Sequence, residues 1–453
     1  MLKTVFITIS RGGTARNILQ TDAYKALKDA ELRIVILTPA FQDERFVAEF
    51  AAPNVFFENL PEPKWTVLDK FLVGWHKALV YNDSTKRRDL YGIYNPEEGS
   101  FLKYFFKKVF FGPLSRLQFL KKFFKCLDAV LIKDKYYKEV FDKYKPDLVF
   151  AASAIEDTES FVLKQARSRK IKTVGMAKSW DNLSKISFRA MADKFIVWGD
   201  CSKEESVRFQ NYSEKDIIIC GVPQFDFYKN DEFLMEREEF CRLYGIPGGK
   251  KIIVFCSEGK ITLKDGEITE IIADFINKGS AGETVLLIRP HFMYQGDEKK
   301  FAAAAKLHNV YLDSGYNPSS IFRDRWDYSK EQIKKFTNIM RYADLVITTA
   351  STISLDAAAF DKPIINIVFD GREKLPFRNS VARWYINEHY KHVAETGAVW
   401  LVDSKEELLN AINGYLGNPN LLVAGRERLR NYFCYKIDGG SGRRIAEVIL
   451  ENL

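Results

Sequence analysis

Short apolar runs recur along the chain, and most are followed by stretches whose apolar positions repeat at helical spacing. Runs at 4–9, 33–38, 148–152, 173–176, 194–198 and 217–220 make a first series. Runs at 251–256, 284–289, 310–313, 345–348, 364–367 and 398–402 make a second. Alternation of this kind predicts two parallel sheets built from βαβ units, an α/β fold of two Rossmann-like domains. Helical periodicity is clearest at 14–30, 127–144, 232–244, 355–360 and 442–453, whereas 41–100 mixes aromatics with breakers and predicts no order of elements. The turn-rich Gly221-Val222-Pro223 divides the series into domains 1–222 and 223–453, with the last helix a candidate to return to the first domain.

With 453 residues the chain exceeds one ordinary core, and 46% hydrophobic against 28% charged residues is a globular balance. The net charge of +8 favours anionic partners such as nucleotides, phosphates or acidic lipid. The six cysteines form no Cys-x-x-Cys pair and read as free, mostly buried thiols in a reducing compartment. Residues 1–9 read as a strand rather than a signal peptide, and no apolar run approaches the roughly 18–20 residues of a spanning helix. A cytoplasmic protein is the expectation.

Open parallel sheets bind ligands outside the carboxyl ends of their strands, which selects particular loops. Ser10-Arg11-Gly12-Gly13-Thr14 follows the first strand, where glycines and bare N–H groups suit close approach of an anion, or simply make a tight turn capped by Thr14. Glu156 and Asp157 follow the run at 148–152 and suit either helix capping or general-base work. Trp180-Asp181-Asn182 places an apolar plate, a charge and an amide at another strand end, or an Asx-turn beside a packed ring. Asp181 and Asp157 are the leading base candidates, while Arg11–Thr14, Trp180 and Asn182 are candidates for the acceptor side. In the second half Glu258 and Lys260 follow the run at 251–256, and Arg289-Pro290-His291 ends the next. Arg suits phosphate, and His can donate to a phosphate oxygen. Thr349-Ala350-Ser351-Thr352-Ile353-Ser354 stacks hydroxyls at a helix start, with Asp356 in the first turn to meet a ribose hydroxyl or complement the helix dipole.

Together these motifs resemble glycosyltransferase-B enzymes, in which two Rossmann-like domains face across a cleft. The resemblance is nearest to surface-polysaccharide glycosyltransferases and CDP-glycerol glycerophosphotransferases. It rests on Cys220-Gly-Val-Pro-Gln-Phe-Asp226, Ile288-Arg-Pro-His291, and Thr349–Ser354 leading to Asp361-Lys-Pro-Ile364, with Lys178–Asn182 and Val197-Trp-Gly199 in the first half. It implies that Arg289, His291, Ser351, Thr352 and Ser354 contact the diphosphate of a nucleotide-activated donor. Phe292 stands where the commoner pattern has Pro, and the Glu258 loop has no counterpart in it. Asp-x-Asp is absent, so a metal-independent transferase with no cofactor is expected, diphosphate charge being met by Arg289, His291 and a helix N-terminus.

Residues 101–125 carry seven basic side chains and no acidic one, interleaved with Phe. Gly112-Pro113 is expected to divide them into two amphipathic helices that dock on an anionic membrane, or else pack their Phe face on the first domain. No recognised RNA-binding module accompanies the charge, so nucleic acid is not an expected partner. The leading expectation is transfer of a sugar from a nucleotide sugar to a glycan or lipid-linked acceptor at the inner membrane face. Polyol-phosphate transfer, non-hydrolysing UDP-sugar 2-epimerisation and a nucleotide-sugar-binding module without chemistry stand beside it.

Overall fold

The computed structural model describes residues 2–93, 95–132, 136–294 and 296–453. Among these residues the first sheet holds β1 (Lys3–Thr8), β2 (Leu32–Thr38), β3 (Val55–Asn59), β4 (Leu148–Ala151), β5 (Lys172–Met176), β6 (Lys194–Val197) and β7 (Ile217–Ile219). The second holds β8 (Lys251–Cys256), β9 (Thr284–Arg289), β10 (Val310–Leu312), β11 (Leu345–Thr348), β12 (Ile364–Ile367) and β13 (Trp400–Val402). Their orders are β3-β2-β1-β4-β5-β6-β7 and β10-β9-β8-β11-β12-β13. Every pairing is parallel; Val5 aligns with Ile34 on one side and Leu148 on the other. The central strands are buried on both faces, which is why they read as continuous apolar runs. Strand order reverses between β1 and β4 and again between β8 and β11, so each sheet opens a crevice there at its carboxyl end.

Several helices depart from the expectation. The stretch 14–30 is not one helix: Gly12–Thr14 runs into a π-type turn at Ala15–Leu19, and a new helix, Asp22–Asp29, starts behind Thr21. Such wide turns recur at functional sites. The stretch 127–144 is also broken, because the helix Gln118–Leu131 ends in extended backbone at Ile132 and another spans Lys138–Tyr144; residues 133–135 lie outside the described ones. The charged stretch 232–244 opens on a single 3-10 turn at Asp231–Phe233 and becomes α-helical only at Arg237.

The helix Ser441–Glu451 packs against Asp22–Asp29, and Ile445, Val448 and Ile449 join the first domain's core beside Val5 and Ile18. Asp226 fixes its start, accepting from the N–H of Ser441 at 3.0 Å and of Gly442 at 2.7 Å. A carboxylate on the free N–H groups of a helix start complements its dipole.

Between β3 and β4 the chain inserts helices Val67–Ala78, Asp83–Tyr91, Phe101–Leu114 and Gln118–Leu131. Gly112-Pro113 does not divide the basic segment; the helix runs through to Leu114 and the chain turns at 115–117. Nor are all seven basic groups free. Lys121 and Lys125 are buried and donate to the carbonyls of Arg208 (3.3 Å) and Gln210 (2.6 Å), at the carboxyl end of the helix Asp200–Gln210. Lys107 pairs with Asp89 at 2.9 Å, and Phe124 stacks on Trp75 with centroids 4.4 Å apart. Exposed are Phe101, Phe105, Phe106, Phe110, Phe119 and Phe123, with Lys103, Lys108, Arg116 and Lys122 among them. Of the cysteines Cys126 is exposed and the other five are buried.

Candidate active-site cleft

The carboxyl ends of the two sheets meet around a cavity of about 320 Å3. The first domain lines it with Gly13, Arg16, Lys178, Asp181, Asn182 and Trp198; the second adds Glu258, Arg289, His291, Ser351, Thr352 and Asp356. Loops after β1, β5, β6, β8, β9 and β11 therefore converge on it, whereas the loop after β4 does not reach the lining.

Each switch point is bridged by a carboxylate. In the first domain Arg11, after β1, donates to Glu156, after β4, at 2.5 Å, and Lys178 lies 3.6 Å from the same carboxylate. In the second, Ser351, after β11, donates to Glu258, after β8. The consequences are opposite. Burial pushes Glu156 up, but Arg11 and Lys178 outweigh it and its carboxyl lies below the ordinary range; it stands outside the cavity lining. Glu258 has a neutral partner; burial dominates, with Asp265 and Asp181 adding negative charge, and its carboxyl is pushed up to about 7. Asp157 is raised by burial against the attraction of Arg189, and it stands at the first turn of a helix outside the cavity lining.

Asp181 lines the cavity and accepts hydrogen bonds from Lys185 and from Asn182 Nδ2 (3.1 Å). Burial opposes its ionisation, yet Lys185 outweighs it and holds the carboxyl well below its ordinary value. Trp180 is not an open plate. It is 1% exposed, packs against His389 and Phe433, and donates its indole N–H to Thr352 Oγ1 at 3.2 Å, tying the domains together.

The first βα turn is occupied by the protein itself. Asp324, from the segment after β10, accepts from Gly12 N–H at 2.9 Å and Gly13 N–H at 3.1 Å. Those amides are thus committed to an internal anion rather than open to a ligand. Thr14 is buried and donates to the carbonyl of Arg11 at 2.7 Å. Of this turn, Gly13 alone borders the cavity.

In the second domain Arg289 forms an ion pair with Asp313, both nearly buried, and Asp313 also meets Lys335 at 3.3 Å, so one carboxylate is shared by two cations. Burial opposes the guanidinium's charge, but Asp313 outweighs it and raises its pKa. His291 Nδ1 accepts from the N–H of Met293 at 3.3 Å, and burial lowers its pKa to about 4, so the neutral ring carries its proton on Nε2. Ser351 and Thr352 line the cavity; Ser354 does not, being fully buried and bonded to Tyr390 Oη at 2.8 Å. Asp356 accepts from Tyr228 at 2.5 Å and Gln224 at 3.0 Å, and burial raises its pKa. Lys260 is exposed outside the cavity lining, its ammonium 5.4 Å from the ring of Tyr294.

Sequence reasoning passed over Arg16, Trp198, Gln224 and Trp326, all of which line the cavity. Gln224 and Trp198 lay within motifs singled out above without a role of their own; Arg16 was hidden in an apparently ordinary helix, and Trp326 in a segment without periodicity.

Two parallel-sheet domains with a cleft between their strand ends define the glycosyltransferase-B fold. The chain belongs to the CDP-Glycerol:Poly(glycerophosphate) glycerophosphotransferase family, whose profile matches residues 162–451. It is thus a transferase of the glycosyltransferase-B type. No curated protein matches it. Among solved structures, the UDP-GlcNAc 2-epimerase of Neisseria meningitidis, bound to UDP-GlcNAc, shares 11% identity at a TM-score of 0.54 over 100% of both chains. The UDP-GlcNAc 2-epimerase of Methanocaldococcus jannaschii shares 14% at 0.52, again over 100% of both chains. A glycosyltransferase of Rickettsia africae shares 12% at 0.50 over 100% of both. At these identities the likeness is one of fold.

Proposed function

We propose that this protein transfers a sugar from a nucleoside-diphosphate donor to a hydroxyl of a surface-glycan or lipid-linked acceptor. The observation that carries the reading is a pair of carboxyls lining one cavity in opposite states, Asp181 held ionised and Glu258 pushed up to about 7. Environments that separate two carboxyls in this way mark an acid and a base. Asp181 takes the acceptor's hydroxyl proton as its oxygen bonds to the sugar's anomeric carbon. The bond from that carbon to the diphosphate oxygen breaks, and the nucleoside diphosphate leaves. Glu258, protonated below about pH 7, donates a hydrogen bond to the donor where a carboxylate would repel it.

A second reading is favoured by the family. Transfer of glycerol phosphate from CDP-glycerol would bond the acceptor's oxygen to the glycerol-bearing phosphorus, break that phosphorus's bond to the bridging oxygen, release CMP and leave phosphate in the product. The products separate the two readings. Incubation with a panel of nucleotide sugars and CDP-glycerol should release a nucleoside diphosphate with a phosphate-free adduct, or CMP with a phosphate-bearing one. UDP-sugar converted to its 2-epimer without an acceptor would replace both with epimerisation, and binding without any product would leave a binding module.

The acceptor side of the proposal includes an anionic membrane surface. Exposed Phe rings on 101–123 beside Lys103, Lys108, Arg116 and Lys122 support peripheral docking at the inner face. Among the described residues no helix is long and apolar enough to cross a membrane.

A further inference from the structure

We infer that Arg16, a first-domain residue, is the cation that meets the donor's diphosphate, so that the donor bridges both domains when it binds. The inference rests on the nucleoside-diphosphate reading above and names a partner for that group.

Three basic side chains line the cavity: Arg16, Lys178 and Arg289. Two have a carboxylate within ion-pair reach, Arg289 in Asp313, which Lys335 shares at 3.3 Å, and Lys178 in Glu156 at 3.6 Å, which Arg11 shares. Arg16 is different. It is 8% exposed, and among the described residues no carboxylate pairs with it. Its Nε donates to Asn17 Oδ1 at 2.9 Å and its Nη2 to Gln224 Oε1, both neutral amides. The indole of Trp326 lies 4.3 Å from the guanidinium carbon and shields it from water. A guanidinium removed from water without a counter-charge is unfavourable unless something supplies the charge. Burial accordingly lowers its pKa, although Tyr228, Asp356, Tyr316 and Asp324 act on it from a distance.

The nearest internal anion is kept from it by an intermediary. Gln224 accepts from Arg16 through Oε1 and donates through Nε2 to Asp356 at 3.0 Å, while Tyr228 donates to the same Asp356 oxygen at 2.5 Å. Asp356 is thus satisfied by neutral donors, and Arg16 retains its charge. Trp198 points the same way. It lines the cavity and is 2% exposed, and its indole N–H has no acceptor among the described residues. A buried cation and an unused donor at one cavity, opposite the hydroxyls of Ser351 and Thr352, suit a ligand rich in anionic oxygens.

The test compares Arg16→Gln and Arg16→Lys with the unmodified chain. Calorimetry would be run with CDP, UDP and inorganic pyrophosphate, beside melting without ligand and steady-state kinetics with whichever donor is turned over. Arg16→Gln should weaken binding of the preferred nucleoside diphosphate and of pyrophosphate at least tenfold, while the unliganded melting temperature holds or rises. Arg16→Lys should keep the fold and bind with intermediate affinity. Equal affinity of Arg16→Gln and the unmodified chain would overturn the inference alone. So would an affinity loss matched by a fall in the unliganded melting temperature, the mark of a purely structural role. Absence of any nucleotide or pyrophosphate binding by the unmodified chain would overturn the transfer reading and this inference together.

Discussion

The carboxylate of Asp324 accepts a hydrogen bond from the main-chain N–H of Gly12 at 2.9 Å, across a sequence separation of 312 residues. Its second oxygen takes Gly13 N–H at 3.1 Å. A segment of the second domain is thereby seated on the turn of the first that is best suited to an anion. Asp324→Ala should destabilise the protein by about 1.5–3 kcal/mol, the worth of hydrogen bonds to a charged group. Asp324→Asn, which keeps one acceptor, should lose less. Denaturant unfolding of both variants checks the order.

The same seat is tight. A Cβ on Gly12 would lie 2.5 Å from the carbonyl oxygen of Trp326 and 2.9 Å from its Cβ, so Gly12→Ala must push that segment away. Overpacking of this kind costs about 1–3 kcal/mol. Gly74, on the helix Val67–Ala78, has nothing within 4 Å of its Cβ position. Gly74→Ala should stabilise by roughly 0.5–1 kcal/mol. Melting curves of the two alanine variants should therefore move in opposite directions.

Glu258 sets a pH dependence. Between the ordinary carboxylate range and about 7 the folded chain holds a proton at Glu258 that the unfolded chain has released. Stability contributed there falls as pH rises through that window and is fully lost above about 7. Donor affinity should instead fall as pH rises through about 7, where the folded chain loses that proton and a carboxylate appears beside the donor's diphosphate. Glu258→Gln stays neutral and should flatten the limb in KM. An unchanged limb in that variant would assign the titration elsewhere.

Arg289 is a poor probe of donor binding by simple deletion. Arg289→Ala removes one of two cations that meet the buried Asp313, with Lys335 at 3.3 Å and the Tyr244 hydroxyl at 2.9 Å remaining, so the loss should fall short of the about 3–5 kcal/mol of a fully unpaired buried carboxylate. Asp313→Asn added to Arg289→Ala should recover part of that loss. Chemical denaturation of the two single variants and the double variant measures the coupling.

If the proposed docking surface is real, replacement of Lys103, Lys108, Arg116 and Lys122 by Glu should abolish flotation with anionic liposomes, each cation contributing about 1 kcal/mol near such a surface. Lys121→Glu should instead destabilise the fold, since that side chain is buried on the carbonyl of Arg208. Flotation that ignores lipid charge and all four substitutions would remove the docking surface.

β3 (Val55–Asn59) was missed, because it lies among aromatics and breakers with only Val55 fully buried, but the other twelve strands were legible as continuous apolar runs, and ligands sit at the carboxyl ends of such strands. The loops holding Glu258, Arg289, Asp181 and Ser351 followed from that rule alone. Their pairings did not, because composition shows neither that Asp313 lies beside Arg289 nor that Ser351 reaches Glu258. Arg16 was hidden because a π turn carries helical spacing through a single interrupted turn. Lys121 and Lys125 belong by sequence to a basic face, yet their partners are carbonyls at the end of a helix more than 80 residues on. Asp324 lies in an aperiodic segment, where local pattern says nothing about what it touches.

The helix Ser441–Glu451, laid on Asp22–Asp29, has a consequence for synthesis on the ribosome. The first domain's strands emerge early, but the apolar surface that receives Ile445, Val448 and Ile449 stays uncovered until those residues leave the exit tunnel. Domains commonly fold in the order they are made. Here the earlier half must wait for the later one, with an apolar flank open to chaperones throughout translation of the second domain.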